Sequence, residues 1–269
     1  MSSDPVERAV DAGPRISGCV VAMNEEDRIA DCILSLAFCD EVIVIDSHST
    51  DRTREVAREL GAAVIERDWP GHGAQKEFAA QTARNDWVLS LDADERVSSR
   101  LREEIRELQR RGFPGHKGWR MPRLAAYLGR WVRFGSWYPN RQLRLYDRRC
   151  GHWAGADPHE RVTVAGSIGR LRGRILHYPF RSLAEHLRTI DNYTTIMARG
   201  LARRGRRATV FDITLRPTER FLRSYFWRLG FLMGWRGLVL AYLEAHYVRL
   251  KYMKLLVEQH GDLPPPPLD

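Results

Sequence analysis

Four short apolar runs, Ile16–Ala22, Glu41–Asp46, residues 63–67 and Trp87–Asp92, alternate with segments of helical length. The first run is continuous enough to be buried on both faces of a sheet. The segment after it carries Ile29, Ile33, Leu34 and Leu36 at helical spacing, with Asn24 standing where an N-cap belongs. Ser49-Thr50-Asp51 opens a second helix, and Gly61 closes it. Pro70, Gly71 and Gly73 lead into a third, around residues 75–82. Strand and helix repeated in this way demand a parallel sheet with helices on its faces.

Two of the runs end in acids. Asp46 ends the second, and the fourth runs into Asp92-Ala93-Asp94-Glu95, three carboxylates within four positions. The carboxyl ends of strands are where an open α/β sheet binds ligands. Carboxylates this crowded repel one another unless a cation or hydrogen-bond donors stand between them. Oxygen ligands of this kind suit Mg²⁺ or Mn²⁺, ions that take one or two protein carboxylates together with substrate phosphates. The plainer reading is an acidic turn ahead of a helix. The chain has neither G-x-G-x-x-G nor a P-loop signature, which disfavours a dinucleotide site and a Walker-type NTPase.

Beyond residue 97 the pattern changes. Ser98 or Ser99 caps a helix to about residue 111, and short strand-like pieces follow at residues 118–123, 142–146, 161–164 and 173–177. Residues 182–204 are helical by period, a basic loop (Arg203-Arg204-Gly205-Arg206-Arg207) comes next, and two more helices are expected at residues 218–235 and 238–259. Residues 161–257 hold 19 Lys and Arg against 5 Asp and Glu, whereas the whole chain carries a net charge of +9. Aromatics interleaved with arginine there suit a helix pair lying at an anionic membrane surface, with packing on the domain or a second subunit as the alternative. Charges interrupt the region too often for a membrane span. Four cysteines without C-x-x-C spacing read as reduced packing residues. Residues 1–14 read as flexible, without the apolar run of a signal peptide, and residues 261–269, with four consecutive prolines, as a disordered tail.

Val21-Ala22-Met23-Asn24-Glu25-Glu26, Val44-Ile45-Asp46-Ser47-His48-Ser49-Thr50-Asp51, Gln75-Lys76 and Asp92-Ala93-Asp94-Glu95 stand in that order at strand ends. Together they resemble the motifs of family 2 glycosyltransferases with a GT-A fold. The resemblance extends through Arg144-Leu145-Tyr146, Pro158-His159-Glu160, Ile175-Leu176-His177-Tyr178 and the Phe231 to Leu238 stretch, and is nearest to the lipopolysaccharide core β-1,4-glucosyltransferases. It implies a nucleotide-diphospho-sugar transferase fold over residues 15–180, with a nucleotide-sugar half (15–97) and an acceptor half (98–180). A basic, aromatic-rich helical extension would occupy residues 181–260.

The resemblance also implies roles. Asp94 would be the principal metal ligand, with Asp92 near the ribose or a metal-bound water, and His177 completing the metal shell in some relatives. Asp46, Asn24 and Glu25 would meet the nucleoside. Lys76 would touch the diphosphate, unless it is an ordinary solvated lysine, and Arg141 and Arg144 could clamp phosphates. Glu160 would be the general base of an inverting transfer, with Asp157 its rival. The implied cofactor is Mg²⁺ or Mn²⁺. The implied partners are a nucleotide sugar, UDP-glucose first, and a lipid-linked saccharide, the lipopolysaccharide inner core first. The implied location is the inner face of the cytoplasmic membrane, with a homo-oligomer as a further expectation. A polyprenyl-phosphate or other surface-glycan acceptor is the close rival. A sugar-nucleotide pyrophosphorylase is disfavoured by the absence of a Gly-rich, Arg-containing loop after the first strand. A nucleic-acid binder would explain the basic half but not the acids at strand ends.

Overall fold

A computed structural model describes residues 13–155 and 160–261. Of the terminal stretches read as flexible (1–14) and disordered (261–269), residues 1–12 and 262–269 lie outside the described residues, as does Asp157. The chain divides into two units. The first comprises residues up to Leu124 together with Asn140–Tyr178, and the second Ala125–Pro139 together with Pro179 onward.

In the first unit, β1 (Ile16–Ala22), β2 (Glu41–Asp46), β3 (Ala63–Glu66) and β4 (Trp87–Asp92) form the parallel order β3-β2-β1-β4. All seven residues of β1 are buried, as expected for a strand covered on both faces. Its side chains alternate between two apolar layers. Ile16, Val20 and Ala22 pack with α1 (Ile29–Ser35) and α4 (Ser99–Arg110), whereas Cys19 and Val21 pack with α3 (His72–Thr82). Ala57 of α2 (Thr53–Glu59) joins the first layer. Beyond β4 the sheet turns antiparallel through β8 (Asn140–Asp147) and β6 (Gly118–Tyr127), then continues to β12 (Ile175–His177) and β5 (Glu95–Val97). Glu95–Val97 is a strand because it pairs antiparallel with β12, setting Glu95 opposite His177. Two further pieces, β9 (Gly151–Ala154) and β10 (Arg161–Val164), make a separate two-stranded ribbon.

Local chemistry explains two boundaries. Ser98 is the cap of α4, accepting from the Leu101 amide at 3.3 Å, and Gly112 closes that helix at φ 71°. Asn24, expected as the cap of α1, does not cap it. The helix begins at Ile29 without a side-chain cap, and Asn24 sits instead in the left-handed region at φ 56°, which Asn tolerates.

The second unit is helical. Ser182 caps α5 (Leu183–Arg203), and α6 (Val210–Leu222) and α7 (Trp235–Glu258) follow. The sixth helix starts well before the expected residue 218. Asp212 accepts the Thr209 amide at 2.9 Å, a cap hidden in the polar stretch after the basic loop. After Leu222 the chain passes through one π turn (Arg223–Trp227) and one 3₁₀ turn (Gly230–Met233). Among the described residues no helix is long and apolar enough to cross a membrane.

In the first unit α4 comes close to the backbone at Gly173, where an added Cβ would stand 2.3 Å from Leu101 Cα. Gly173→Ala must therefore push α4 off the sheet, at about 1–3 kcal/mol. Urea denaturation should show a lower midpoint with an unchanged slope, and an unchanged midpoint would contradict this packing.

Candidate active site

Register puts the acids together. Across the parallel strands Ala22 pairs with Asp46 and Val21 with Asp92, so both carboxylates flank the C-terminal end of β1. With strands spaced about 4.8 Å apart, the two ends stand roughly 10 Å from one another.

The Asp46 side of this edge is a hydrogen-bonded clasp. Asp46 is fully buried, and its two oxygens accept the Ser49 amide at 2.8 Å and the Ser49 hydroxyl at 2.5 Å. Ser49 Oγ in turn accepts the Asn24 amide at 2.9 Å, and Asn24 Oδ1 accepts the Thr50 amide at 2.8 Å. The Glu25 amide donates to Thr53 Oγ1 at 2.8 Å. The loops after β1 and β2 are thus fixed to each other, with Asp46 as the buried anchor.

On the Asp92 side a charge cluster forms. Lys76, on α3, is buried and places Nζ 2.8 Å from Asp92 Oδ1 and 3.0 Å from Glu160 Oε1. It is not the solvated lysine that a lone Lys on a helix suggests. Arg144 Nη2 reaches Asp92 Oδ2 at 2.9 Å and Glu95 Oε1 at 3.3 Å. Arg123 Nη1 adds a bond to Glu95 Oε1 at 3.1 Å, and the Asp92 amide donates to Glu95 Oε2 at 3.1 Å. Both cations lie against Trp153, Lys76 Nζ at 5.0 Å and the Arg144 guanidinium at 5.4 Å from the ring centre.

Backbone detail aims these groups. Along β8, Leu143 pairs with Arg120 and Leu145 with Trp119, so Arg144 is the extra residue of a β-bulge. Bulges re-aim a side chain, and they concentrate at functional sites. Gly73, at the start of α3, lets Glu160 come close: a Cβ there would stand 3.3 Å from Glu160 Cβ.

Asp94 and His177 make a second pair. His177 Nε2 is 3.2 Å from Asp94 Oδ2, and the Tyr178 amide donates to the Asp94 carbonyl at 2.9 Å. Asp94 Oδ1 is buried and has no hydrogen-bond partner, and the same is true of Glu160 Oε2. Asp92, expected near the ribose or a metal-bound water, has both oxygens on cations. No group of three His, Cys, Asp or Glu suited to a metal occurs among the described residues. One carboxylate with a free oxygen and one imidazole still fit an ion whose remaining ligands are substrate phosphates and water.

Electrostatics follow from the contacts. Burial alone would raise the Asp92 carboxyl, but Lys76 and Arg144, with Arg123 behind them, hold it well below the usual carboxylate range. Burial works to lower the Arg144 guanidinium, and Glu95 and Asp92 outweigh it, so its value rises. Cys32, under the same acids, is pushed up by burial and then by Glu95, Asp94 and Asp92, and stays an inert thiol.

Asp92, Lys76, Glu160 and Arg144 therefore meet in one cluster, with Asp94 and His177 paired nearby in sequence and register. Arg141 is exposed at the start of β8 and makes no part of the cluster. Glu95, Arg123 and Trp153 also belong to it, without a role assigned to them from the residues alone. The signal for Arg123 is a charged residue inside a largely apolar strand, which needs the pairing of β6 with β8 to acquire meaning.

A family model described as glycosyl transferase family 2 matches residues 17–159, which spans β1, the loop clasp and the acidic strand end. The chain belongs to glycosyl transferase family 2. It is 32% identical over 260 residues to an uncharacterized glycosyltransferase of Rickettsia typhi, covering 90% of this chain and 87% of that one. It is 30% identical over 248 residues to the lipopolysaccharide core biosynthesis glycosyltransferase LpsC of Rhizobium meliloti, covering 86% and 90%. Among solved structures, glucosyl-3-phosphoglycerate synthase from Mycobacterium tuberculosis with Mn²⁺, UDP and glucosyl-3-phosphoglycerate shares 25% identity over 42% of this chain and 45% of that one, with a TM-score of 0.34. Its family membership makes the protein a glycosyltransferase, and its fold is the α/β fold of the GT-A kind.

The depressed Asp92 carboxyl has a measurable consequence. A carboxyl held below its unfolded value, near 3.9, contributes stability present above about pH 4 and lost as pH falls toward the folded value. Asp92→Asn should therefore be less stable than the native chain by a constant margin from pH 8 down to about pH 4. Below that the margin should shrink. Urea midpoints across pH measure it, and a margin that stays constant into strong acid would contradict the ion pairing.

Proposed function

We propose that this family 2 enzyme moves a sugar from a nucleoside diphosphate donor, UDP-glucose first, to a hydroxyl of a lipid-linked saccharide of the lipopolysaccharide inner core, inverting the anomeric carbon. The observation that carries this reading is the meeting of Asp92, Lys76, Glu160 and Arg144, from four separate motifs, at one strand edge. The likeness over most of its length to LpsC of Rhizobium meliloti supports the choice of acceptor class.

In this reading Asn24, Glu25 and Asp46 serve the nucleoside, Asp46 chiefly by holding the clasp in which Asn24 and Thr50 present their groups. Lys76 and Arg144 are buried cations already held beside the crevice by Asp92. An incoming diphosphate would share their charge as point charge and planar fork respectively. Asp94 and His177 would hold a divalent ion, whose chemistry is to neutralise the charge that builds on the departing diphosphate. Arg141, exposed on the same strand as Arg144, would meet phosphate on donor or acceptor from solvent.

Glu160 is the base. Its Oε1 is fixed by Lys76, which leaves the unpartnered Oε2 to take the proton of the attacking acceptor hydroxyl. The oxygen then displaces the diphosphate at the anomeric carbon as the carbon–oxygen bond forms and the sugar–phosphate bond breaks.

Glu160→Gln keeps the shape and removes the base. Transfer from UDP-glucose to delipidated or truncated core acceptor should fall by about 10²–10⁴-fold, with UDP affinity within about twofold by calorimetry. Near-normal turnover would move the base elsewhere, to Asp157 first. No transfer by the native chain from any of UDP-, ADP- and GDP-sugars would overturn the reading itself.

A further inference from the structure

The turn between α6 and α7 is built to keep apolar side chains outside. Phe226, Trp227, Leu229, Phe231, Leu232 and Trp235 are between 43% and 75% exposed within ten positions. This is not a frayed loop. Met233 and Leu240 point inward and pack with Tyr127 and Val132. Gly230 lies against the Ser224 carbonyl, where an added Cβ would stand at 2.6 Å, and Gly237 against the Gly230 carbonyl, where it would stand at 1.9 Å. Only glycine permits both approaches, so the turn is locked with its apolar rim facing out. Leu229 is held at φ 56°, a conformation L side chains rarely adopt. A row of exposed residues on α6, Phe211, Leu215 and Leu222, continues the same apolar character at helical spacing.

Charge identifies what covers this rim. Arg216, Arg223 and Arg228 are exposed along it, and the exposed basic loop of Arg203, Arg204, Arg206 and Arg207 precedes α6. From residue 203 to 236 the acids are Asp212 and Glu219. Asp212 is buried and paired with Arg206 at 3.4 Å and Arg216 at 2.5 Å, and Glu219 lies 3.6 Å from Arg223. An apolar rim ringed by cations that far outnumber the two acids among them fits a surface with an anionic skin over hydrocarbon. A second copy of the chain would bring cations against cations, and a nucleic acid offers no hydrocarbon for Leu229 and Leu232.

We infer that the α6–α7 turn docks on the anionic face of a lipid bilayer, inserting Phe226, Trp227, Leu229, Phe231, Leu232 and Trp235 while the neighbouring arginines meet lipid phosphates. Aromatic rings suit the headgroup layer, where one end is apolar and the other wet. This surface needs neither donor nor acceptor and does not rest on the proposed reaction.

The test is co-sedimentation of the full chain with vesicles of phosphatidylcholine alone and with about one-third phosphatidylglycerol, without any sugar nucleotide. Binding is expected to the anionic vesicles, weaker at high salt, and reduced about tenfold in the double variant Phe226→Ser, Trp227→Ser. Circular dichroism and an unchanged urea midpoint report that the variant is folded. Equal binding by variant and native chain, equal binding to neutral vesicles, or no binding at all would overturn the inference. So would a dimer in sedimentation equilibrium that the same variant dissolves while native vesicle binding is absent.

Discussion

Lys76 is a buried ammonium between two carboxylates, and the site depends on it. Without that charge, Asp92 and Glu160 would repel one another across a shared pocket. Without Arg144 on the other oxygen of Asp92, the strand end would carry unbalanced negative charge beside Asp94 and Glu95. The pairs are costly to desolvate, and burial of this kind specifies geometry more than it stabilises. What it specifies is an acidic strand tip largely balanced by Lys76, Arg144 and Arg123, with one oxygen of Glu160 and one of Asp94 left unused. Those are the two atoms that sugar transfer would need, one for a proton and one for a cation.

The frame that delivers these groups was largely legible in the sequence. A mostly apolar β1 and acids at the ends of β2 and β4 are enough to place Asp46 and Asp92 on one edge, because parallel strands in register must align their carboxyl ends. Ser98 declared its helix by capping chemistry alone. Other features could not be read, since they depend on partners distant along the chain. Glu95 became a buried anchor only through the β5–β12 pairing and the arrival of Arg123 and Arg144. The bulge that turns Arg144 toward Asp92 leaves no mark in the order of residues along β8. Residues 125–139 cluster with the C-terminal helices although nothing in their composition separates them from the strand pieces on either side. Asn24 looked like a cap because Asn usually is one. Its left-handed backbone gives it a different task, tying two loops together.

The helical unit follows different physics. Its inner faces are satisfied by Tyr127, Val132, Met233 and Leu240, yet the turn between its last two long helices keeps aromatic and aliphatic groups in water. A chain that burials elsewhere make compact does not leave two tryptophans and two phenylalanines outside by default. Their confinement to one glycine-locked turn, in the most basic part of the chain, gives that part a task separate from the chemistry at the strand ends.

The central claim is that the acids at the strand tips act on a nucleoside diphosphate through a shared cation. Calorimetric titration of UDP into the native chain and into Asp94→Ala, each with Mn²⁺ and with EDTA, tests it most directly. The account predicts that Mn²⁺ tightens UDP binding by at least about tenfold, or about 1.4 kcal/mol, in the native chain and has no effect in the variant. Equal metal dependence in both proteins, or none in the native chain, would contradict it.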